Sequence, residues 1–449
     1  MDENSSLFWI FWGATVGLCA WKLIEAFWHP DRMLEWPFLA CAIWVYFYGY
    51  MAYDVKVSLS DYLPTEMLWF GALLPLLSLV GVLGGWKVGM RLKVRAQTPQ
   101  HDYRLSQVWG VGIVLLLIGM AGANYFLTSG VKGIDLETTS AYAYLSFYCG
   151  YPGLVLAVWA ASRMSGPNRM LLWAITALGI LVFILPFLAG SRRGPLFPAM
   201  MALLLVPALA NRRAPNPVAF GIGLAVVGLI MLLCLQIREI QRTVGDSWVD
   251  VAQELSLTKA VRDRGREATD NEYLNNCALI AAVRQTGKYQ YGSGHAGMLL
   301  HWIPRAWWPD KPALGEGWYS ANELFDAVES LAGVRLIGGG AAAGGVADSF
   351  IQYGYFTPFF WFWISWFMAR VYVRARWGSD PRWLWSYAGL VCVSHWLISQ
   401  AAANAFVPAM VFVLIPLAVS VVLPRIPLRT VLSAPVQGPA RTRSDQPVV

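Results

Sequence analysis

Four groups of residues in this 449-residue chain have types and spacing that could do chemistry. The first is Arg192–Arg193 in GSRRG at 190–194, two adjacent guanidinium groups between flanking glycines. A planar guanidinium meets phosphate oxygens with paired hydrogen bonds. Gly190 and Gly194 would let the backbone approach a ligand closely. The bland alternative is a pair that reaches lipid headgroups along its own apolar stem. The second group is Arg238 and Arg242, four residues apart and so on one helix face, with Glu239 between them as a proton acceptor; an interface anchor with an Arg–Glu pair would read the same way.

The third group, HWIPRAWWPDKP at 301–312, is the densest. It sets His301, Arg305, Asp310 and Lys311 beside Trp302, Trp307 and Trp308 on a backbone stiffened by three prolines. Tryptophan faces suit sugar C–H surfaces and cations suit phosphates, so the mixture fits a glycan joined to a phosphate. Tryptophan is also enriched at membrane interfaces without any such role. The fourth group is scattered. Asp348 is a base or metal-binding carboxylate, or a helix-start Asp favoured by the dipole. His395 lies inside an apolar stretch, where an ionisable group is a functional candidate by default. His295 and His301 are six apart and do not share a helix face. With no HExxH, no Cys–His cluster, no Walker loop and no GxGxxG, the sequence predicts no metal, no nucleotide and no cofactor.

The elements that carry these residues are membrane helices. The chain is 57% hydrophobic and 14% charged, about half the charge of soluble domains, which carry roughly 25%. Its apolar residues fall in blocks of bilayer-spanning length. A soluble enzyme, a disulfide scaffold and a disordered chain are excluded, and the net charge of +7 belongs to loop ends rather than to a nucleic-acid surface. Eleven spans are predicted: 7–28, 37–53, 66–88, 106–128, 140–162, 169–189, 195–210, 217–236, 350–372, 382–400 and 404–424. The acidic start MDENSS marks the first as a retained span rather than a signal peptide.

Lysine and arginine set the orientation. Arg32, Lys87, Arg91, Lys93, Arg95, Arg104, Arg163, Arg169, Arg212, Arg213, Arg370, Arg374, Arg376, Arg382 and the C-terminal arginines fall on one side, predicted to be cytoplasmic. The opposite short loops hold only Lys56, Lys132, Arg192 and Arg193. The N-terminus is then outside and the C-terminus inside. The predicted organisation is spans one to eight over 1–236, a large extracytoplasmic segment over 237–349, spans nine to eleven over 350–424 and a disordered tail over 425–449. The large segment holds 11 Lys and Arg against 14 Asp and Glu, so an anion site there needs particular arginines brought together. Helices are predicted near 247–262, 273–286 (ended by Gly287), 295–303 and 318–331, followed by a flexible glycine-rich joint, GGGAAAGG at 338–345.

GSRRG at a span boundary, a large outer segment with IPRAWWPDKP, the glycine-rich run and FIQYGYFTPFFWFWISWFMARV together resemble the O-antigen polymerase family, over roughly residues 180–375. O-antigen ligases share a similar architecture. The resemblance implies an all-α polytopic membrane protein in a bacterial inner membrane. It also implies glycosyl transfer at the outer face, from an undecaprenyl-diphosphate-linked chain to a lipid-linked repeat unit, without cofactors or nucleic acid and with a chain-length regulator as a partner. By position, the diphosphate-binding role falls on Arg192, Arg193, Arg238, Arg242 and Arg305, with Lys311 beside them, and glycan stacking on Trp302, Trp307 and Trp308. His301, Glu239 and Asp348 remain alternatives for the catalytic base, His301 being preferred for its place beside the Trp and Arg cluster. A ligase that moves a finished glycan to another acceptor would use the same residues. A transporter of lipid-linked oligosaccharide is the non-enzymatic alternative, disfavoured by nearly charge-free spans without a repeat.

Overall fold

The computed structural model describes residues 3–92, 101–128, 140–166, 168–189, 193–244, 271–300, 308, 327–330, 344–378, 380–400, 402–423 and 425–427. These residues are almost entirely helical. Helix α1 covers Glu3–Trp28. Helix α2 (Trp36–Trp44) runs through a wide π turn at Val45–Tyr50 into α3 (Met51–Ser58). Then come α4 (Thr65–Arg91), α5 (Leu105–Thr128), α6 (Ser140–Arg163), α7 (Asn168–Ala189), α8 (Arg193–Ala210) and α9 (Pro217–Val244). Helices α10 (Glu272–Thr286) and α11 (Ser293–Leu300) belong to the long polar segment. The last four are α12 (Gly345–Tyr353), α13 (Thr357–Trp377), α14 (Pro381–Ser399) and α15 (Ala402–Val422).

Among the described residues, five helical stretches are long and apolar enough to cross a membrane: Glu3–Trp28, Trp36–Ser58, Thr65–Arg91, Leu105–Tyr125 and Leu145–Arg163. Arg169–Ile184, Leu196–Ala210, Pro217–Ile230 and Pro408–Val422 are shorter apolar helices. The structure is therefore that of an all-α, membrane-embedded protein. The predicted ninth span divides. Residues 345–353 form the separate helix α12, Gly354 breaks the chain at φ +57°, and α13 starts at Thr357 with Pro358 in its first turn.

Burial sorts the helices. Residues 151–161 of α6 and 384–399 of α14 are buried all round, so these two helices form the middle of the bundle. Their rings interlock, Trp159 with Trp385 at 5.1 Å, and Tyr151 with Phe412 of α15 at 5.9 Å. Helix α1, by contrast, exposes Ile10, Trp21, Ile24, Phe27 and Trp28, the apolar outer surface that lipid would cover. Where water is excluded, apolarity no longer drives helices together and close backbone contact takes over. Gly81, Gly85 and Gly89 of α4 accordingly lie against the backbone of Pro358, Phe362 and Trp366 of α13, and a Cβ at Gly85 would strike the Phe362 carbonyl. Ser365 adds a hydrogen bond to Val82 O at 2.5 Å.

The loop residues grouped on one side by charge do meet at one end of the bundle. Arg212 donates to Gly378 O at 2.8 Å, and Arg376 pairs with Asp31 at 2.6 Å. Arg32 pairs with Glu25, and Arg370 donates to the carbonyls of Gly89 and Leu92. A short antiparallel pairing, β1 (His101–Tyr103) with β2 (Arg425–Pro427), has Asp102 opposite Ile426. It reaches three residues into the stretch read as a disordered tail.

Helix α10 matches the helix predicted at 273–286. Asn271 caps it by accepting from Tyr273 N and Leu274 N, and Gly287 ends it at φ +67°. Its position is unlike that of a surface-loop helix, because Glu272–Val283 are buried without interruption against α3, α4 and α12. Cys277 sits on Gly71 of α4, and Tyr273 Oη donates to Leu68 O at 3.4 Å. The expected joint at 338–345 ends in packed residues. Gly344 lies at φ +78° against the Asn276 side chain, and Gly345 lies on the Leu397 carbonyl. Glycine is present there for close approach, not for freedom of motion. The expected helix at 247–262 lies outside the described residues. Of that at 318–331, residues 327–330 are described and helical, with Val328 buried.

Candidate functional site

Two polar constellations lie away from the arginine-rich end of the bundle. The first is built from α11 and α12. The backbone just before α11 runs beside the end of α12, with Gln290 N donating to Ile351 O and Gly292 N to Gln352 O, both at 2.9 Å. Gly294 N donates to Gln352 Oε1 at 3.1 Å, and Gln352 Nε2 donates to Gln290 Oε1 at 2.5 Å. This clamp sets the register that brings His295, in the first turn of α11, over Asp348 and Tyr353, the fourth and last residues of the nine in α12.

His295 Nε2 is 3.1 Å from Asp348 Oδ2, and Nδ1 is 2.8 Å from Tyr353 Oη. A carboxylate only accepts, so Nε2–H donates to Asp348, and the neutral ring then has Nδ1 as an acceptor for the Tyr353 hydroxyl. The imidazole and the Tyr353 ring both rest on Phe360, at 5.3 and 5.2 Å. The side chains of His295 and Asp348 are 12% and 5% exposed. A histidine oriented by a buried carboxylate and facing a hydroxyl oxygen is the arrangement of a general base and its positioning group. Asp348 stands in the first turn of α12, where the helix dipole favours an acid, and it also bonds His295.

The second constellation is a cavity of about 320 Å³ between α2, α8, α9 and α14. Its walls include Leu39, Ile43, Phe47, Phe197, Met201 and Leu224, and its polar groups are Glu272, Ser394, His395, Ser399 and Gln400. Two residues apart and so on nearly opposite faces of the helix, Tyr46 lines the cavity while Tyr48 accepts from Val346 N at 3.3 Å at the start of α12. His395 donates from Nδ1 to Cys392 O at 3.1 Å and packs on Phe197 at 4.3 Å. It therefore makes the local backbone bond expected of a structural histidine and also faces a cavity. The cavity thus combines mostly apolar walls with a few polar groups, as ligand sites do.

The predicted arginines can be placed by backbone alone. Helices α8 and α9 form an antiparallel hairpin in which Leu204 packs on Gly223. Counting outward from that contact, position 193 is level with position 234. At about 1.5 Å per residue, Arg238 and Arg242 stand roughly 6 and 12 Å further along α9. Arg193 begins α8 one turn before Phe197, and Arg238, Glu239 and Arg242 occupy the last turns of α9. The hairpin thus places positions 193, 238 and 242 beyond the cavity wall formed by Phe197, on one side of the cavity. Arg192, His301, Trp302, Arg305, Trp307 and Lys311 lie outside the described residues, and Trp308 is half-buried.

The structure adds His295, Tyr353, Gln290, Gln352 and Glu272 to the sequence candidates. His295, six residues from His301 in the sequence, takes its partners from elsewhere in the chain. Its actual partners are 53 and 58 residues away, and no periodicity links residues across that distance. Glu272 opens α10, and its burial there was not legible from a helix that also carries Asn275, Asn276 and Arg284. Among the described residues, no group of three His, Cys, Asp or Glu is arranged to hold a metal ion. Comparison with family models, with curated proteins and with solved structures finds no match to this chain.

Proposed function

We propose that this chain is a membrane glycosyltransferase that polymerises oligosaccharide repeat units carried on undecaprenyl diphosphate. In this reading eleven helices cross a bacterial inner membrane, the N-terminus is periplasmic and the C-terminus cytoplasmic. The two polar constellations face the periplasm, and a chain-length regulator is a partner. The observation that carries the reading is the His295–Asp348–Tyr353 cluster, a largely buried histidine held between a carboxylate and a hydroxyl at the end of the bundle opposite the arginine-rich one.

The chemistry is a displacement at the anomeric carbon. The acceptor sugar hydroxyl loses its proton to His295 Nδ1, directly or through the Tyr353 hydroxyl, as the new C–O bond forms. The bond from that carbon to the diphosphate oxygen breaks, and the diphosphate leaves with the bonding pair. Asp348 steadies the imidazolium as it forms. Guanidinium groups at 193, 238 and 242 neutralise the leaving diphosphate. Part of the lipid chain lies against the apolar walls of the cavity. The leaving group is already activated, so no nucleotide is required.

The test is chain growth in proteoliposomes supplied with a lipid-diphosphate-linked oligosaccharide, with products resolved on a gel. The expected result is a ladder from the wild type and none from Arg193→Ala or His295→Ala in correctly folded protein. Growth unchanged in both variants would sink the assignment. A single transfer to a different acceptor would make the enzyme a ligase.

A further inference from the structure

The outer surface next to His295 carries a second feature that the transfer chemistry does not use. Tyr291 is a non-glycine residue at φ +50° and is 83% exposed. Side chains with a Cβ avoid this backbone region, and strain of this kind persists where the surroundings enforce it. Here the enforcing bonds are those of Gln290 N and Gly292 N to α12, on either side of Tyr291. Glycine would meet the same geometry without strain, yet a tyrosine ring is presented to the outside.

Two further tyrosines flank it. Tyr289 lies 6.1 Å from Tyr291, centroid to centroid, and packs edge-on to Phe350 at 5.7 Å. Tyr355, 64% exposed, packs on the same Phe350 at 5.7 Å and on Phe70 at 6.2 Å. Gly354, at φ +57°, gives Tyr289 room to lie over the chain between Tyr353 and Tyr355. Arg284 is exposed, stacks on Phe70 at 4.2 Å, and has no carboxylate partner among the described residues. A phenol ring offers a face to polarised C–H groups and a hydroxyl to hydrogen bonding, which are the two surfaces a sugar presents. An unpaired guanidinium at the edge of such rings suits a carboxylate. A tyrosine that only anchors the chain in an interface gains nothing from a strained backbone.

We propose that Tyr291, Tyr355 and Tyr289, with Arg284 at their edge, form a platform that holds an acidic oligosaccharide beside His295. This proposal rests on the polymerase reading for its purpose, which is to keep the glycan at the site between additions. Its binding chemistry can be tested separately.

The test is fluorescence anisotropy of labelled tetragalacturonate and of labelled maltotetraose on the full-length protein in nanodiscs. Wild type is expected to bind tetragalacturonate more tightly. Tyr291→Gly and Tyr355→Ala weaken binding about tenfold, and Arg284→Gln removes the preference for the acidic sugar. Tyr291→Gly relieves the strained φ, so its thermal midpoint stays level or rises while binding falls, a combination that a merely structural role would not produce. The proposal is overturned if wild type binds neither oligosaccharide, if Tyr291→Gly binds as wild type does, or if the variants lose thermal stability with binding intact, which would mark an interfacial anchor. Oligosaccharide binding without chain growth would keep the platform and sink the polymerase; chain growth with wild-type behaviour in Tyr291→Gly would do the reverse.

Discussion

Replacing Asp348 by asparagine changes one atom at the His295 contact and tests the proposed base directly. At 3.1 Å and an effective dielectric near 20, an imidazolium and a carboxylate attract by about 5 kcal/mol. The amide keeps the shape and removes that attraction. It can also donate to Nε2, which would drive the remaining proton onto Nδ1 and deny the acceptor hydroxyl its base. Water reaches the edge of the imidazole, which is 12% exposed, and offsets part of the loss. An expected deficit of about 2–4 kcal/mol in transition-state stabilisation corresponds to roughly 30- to 1,000-fold in rate. The assay is the initial rate of ladder formation in proteoliposomes, with the thermal midpoint followed by tryptophan fluorescence to verify folding. A rate within about threefold of wild type, at an unchanged midpoint, would mean that no imidazolium forms at His295 during the reaction and would refute the assignment of the base.

Three other expectations follow from the packing. Gly345→Val places methyl groups in the Leu397 carbonyl, which costs about 3 kcal/mol or prevents α12 from seating; a thermal midpoint equal to wild type would contradict this contact. Burial pushes the Cys277 thiol up to about 12, against an opposing hydrogen bond from Tyr273, so maleimide labels Cys277 only after denaturation, as read by peptide mass spectrometry. Burial also holds the Glu35 carboxyl above its usual 4.5, outweighing nearby Arg32 and Lys22. The folded state therefore binds that proton more tightly than the unfolded chain, and the stability it contributes is full below about pH 4.5 and lost as pH rises through the raised value. A thermal-midpoint profile that is no flatter in Glu35→Gln would show that Glu35 is not the group responsible.

Apolar block length, capping residues and the arginine bias were legible because each depends on neighbours within a few turns. Asn271 and Gly287 bound α10 for that reason, and the arginines of the charged end meet there as expected. What the local pattern could not convey was where α10 goes. A helix of mean apolarity flanked by polar loops looks like part of a surface domain, and only the Cys277–Gly71 contact and its neighbours show it buried within the bundle. The split of the ninth span was likewise hidden, because hydropathy continues through Gly354 while the backbone does not.

The same division runs through the site. The amino-acid sequence alone determined the class of environment, an apolar bundle with most of its cations at one end, because composition and span length follow from the free energy of each residue in water or hydrocarbon. The tertiary structure decided which groups act together. His295 meets Asp348 and Tyr353 only because Gln290, Gly292 and Gly294 lock the start of α11 onto α12, and Glu272 and His395, far apart in the chain, line one cavity. Contacts between residues more than 50 positions apart depend on how helices pack against one another, and helix packing is set by small residues and hydrogen bonds whose partners no single stretch of sequence contains.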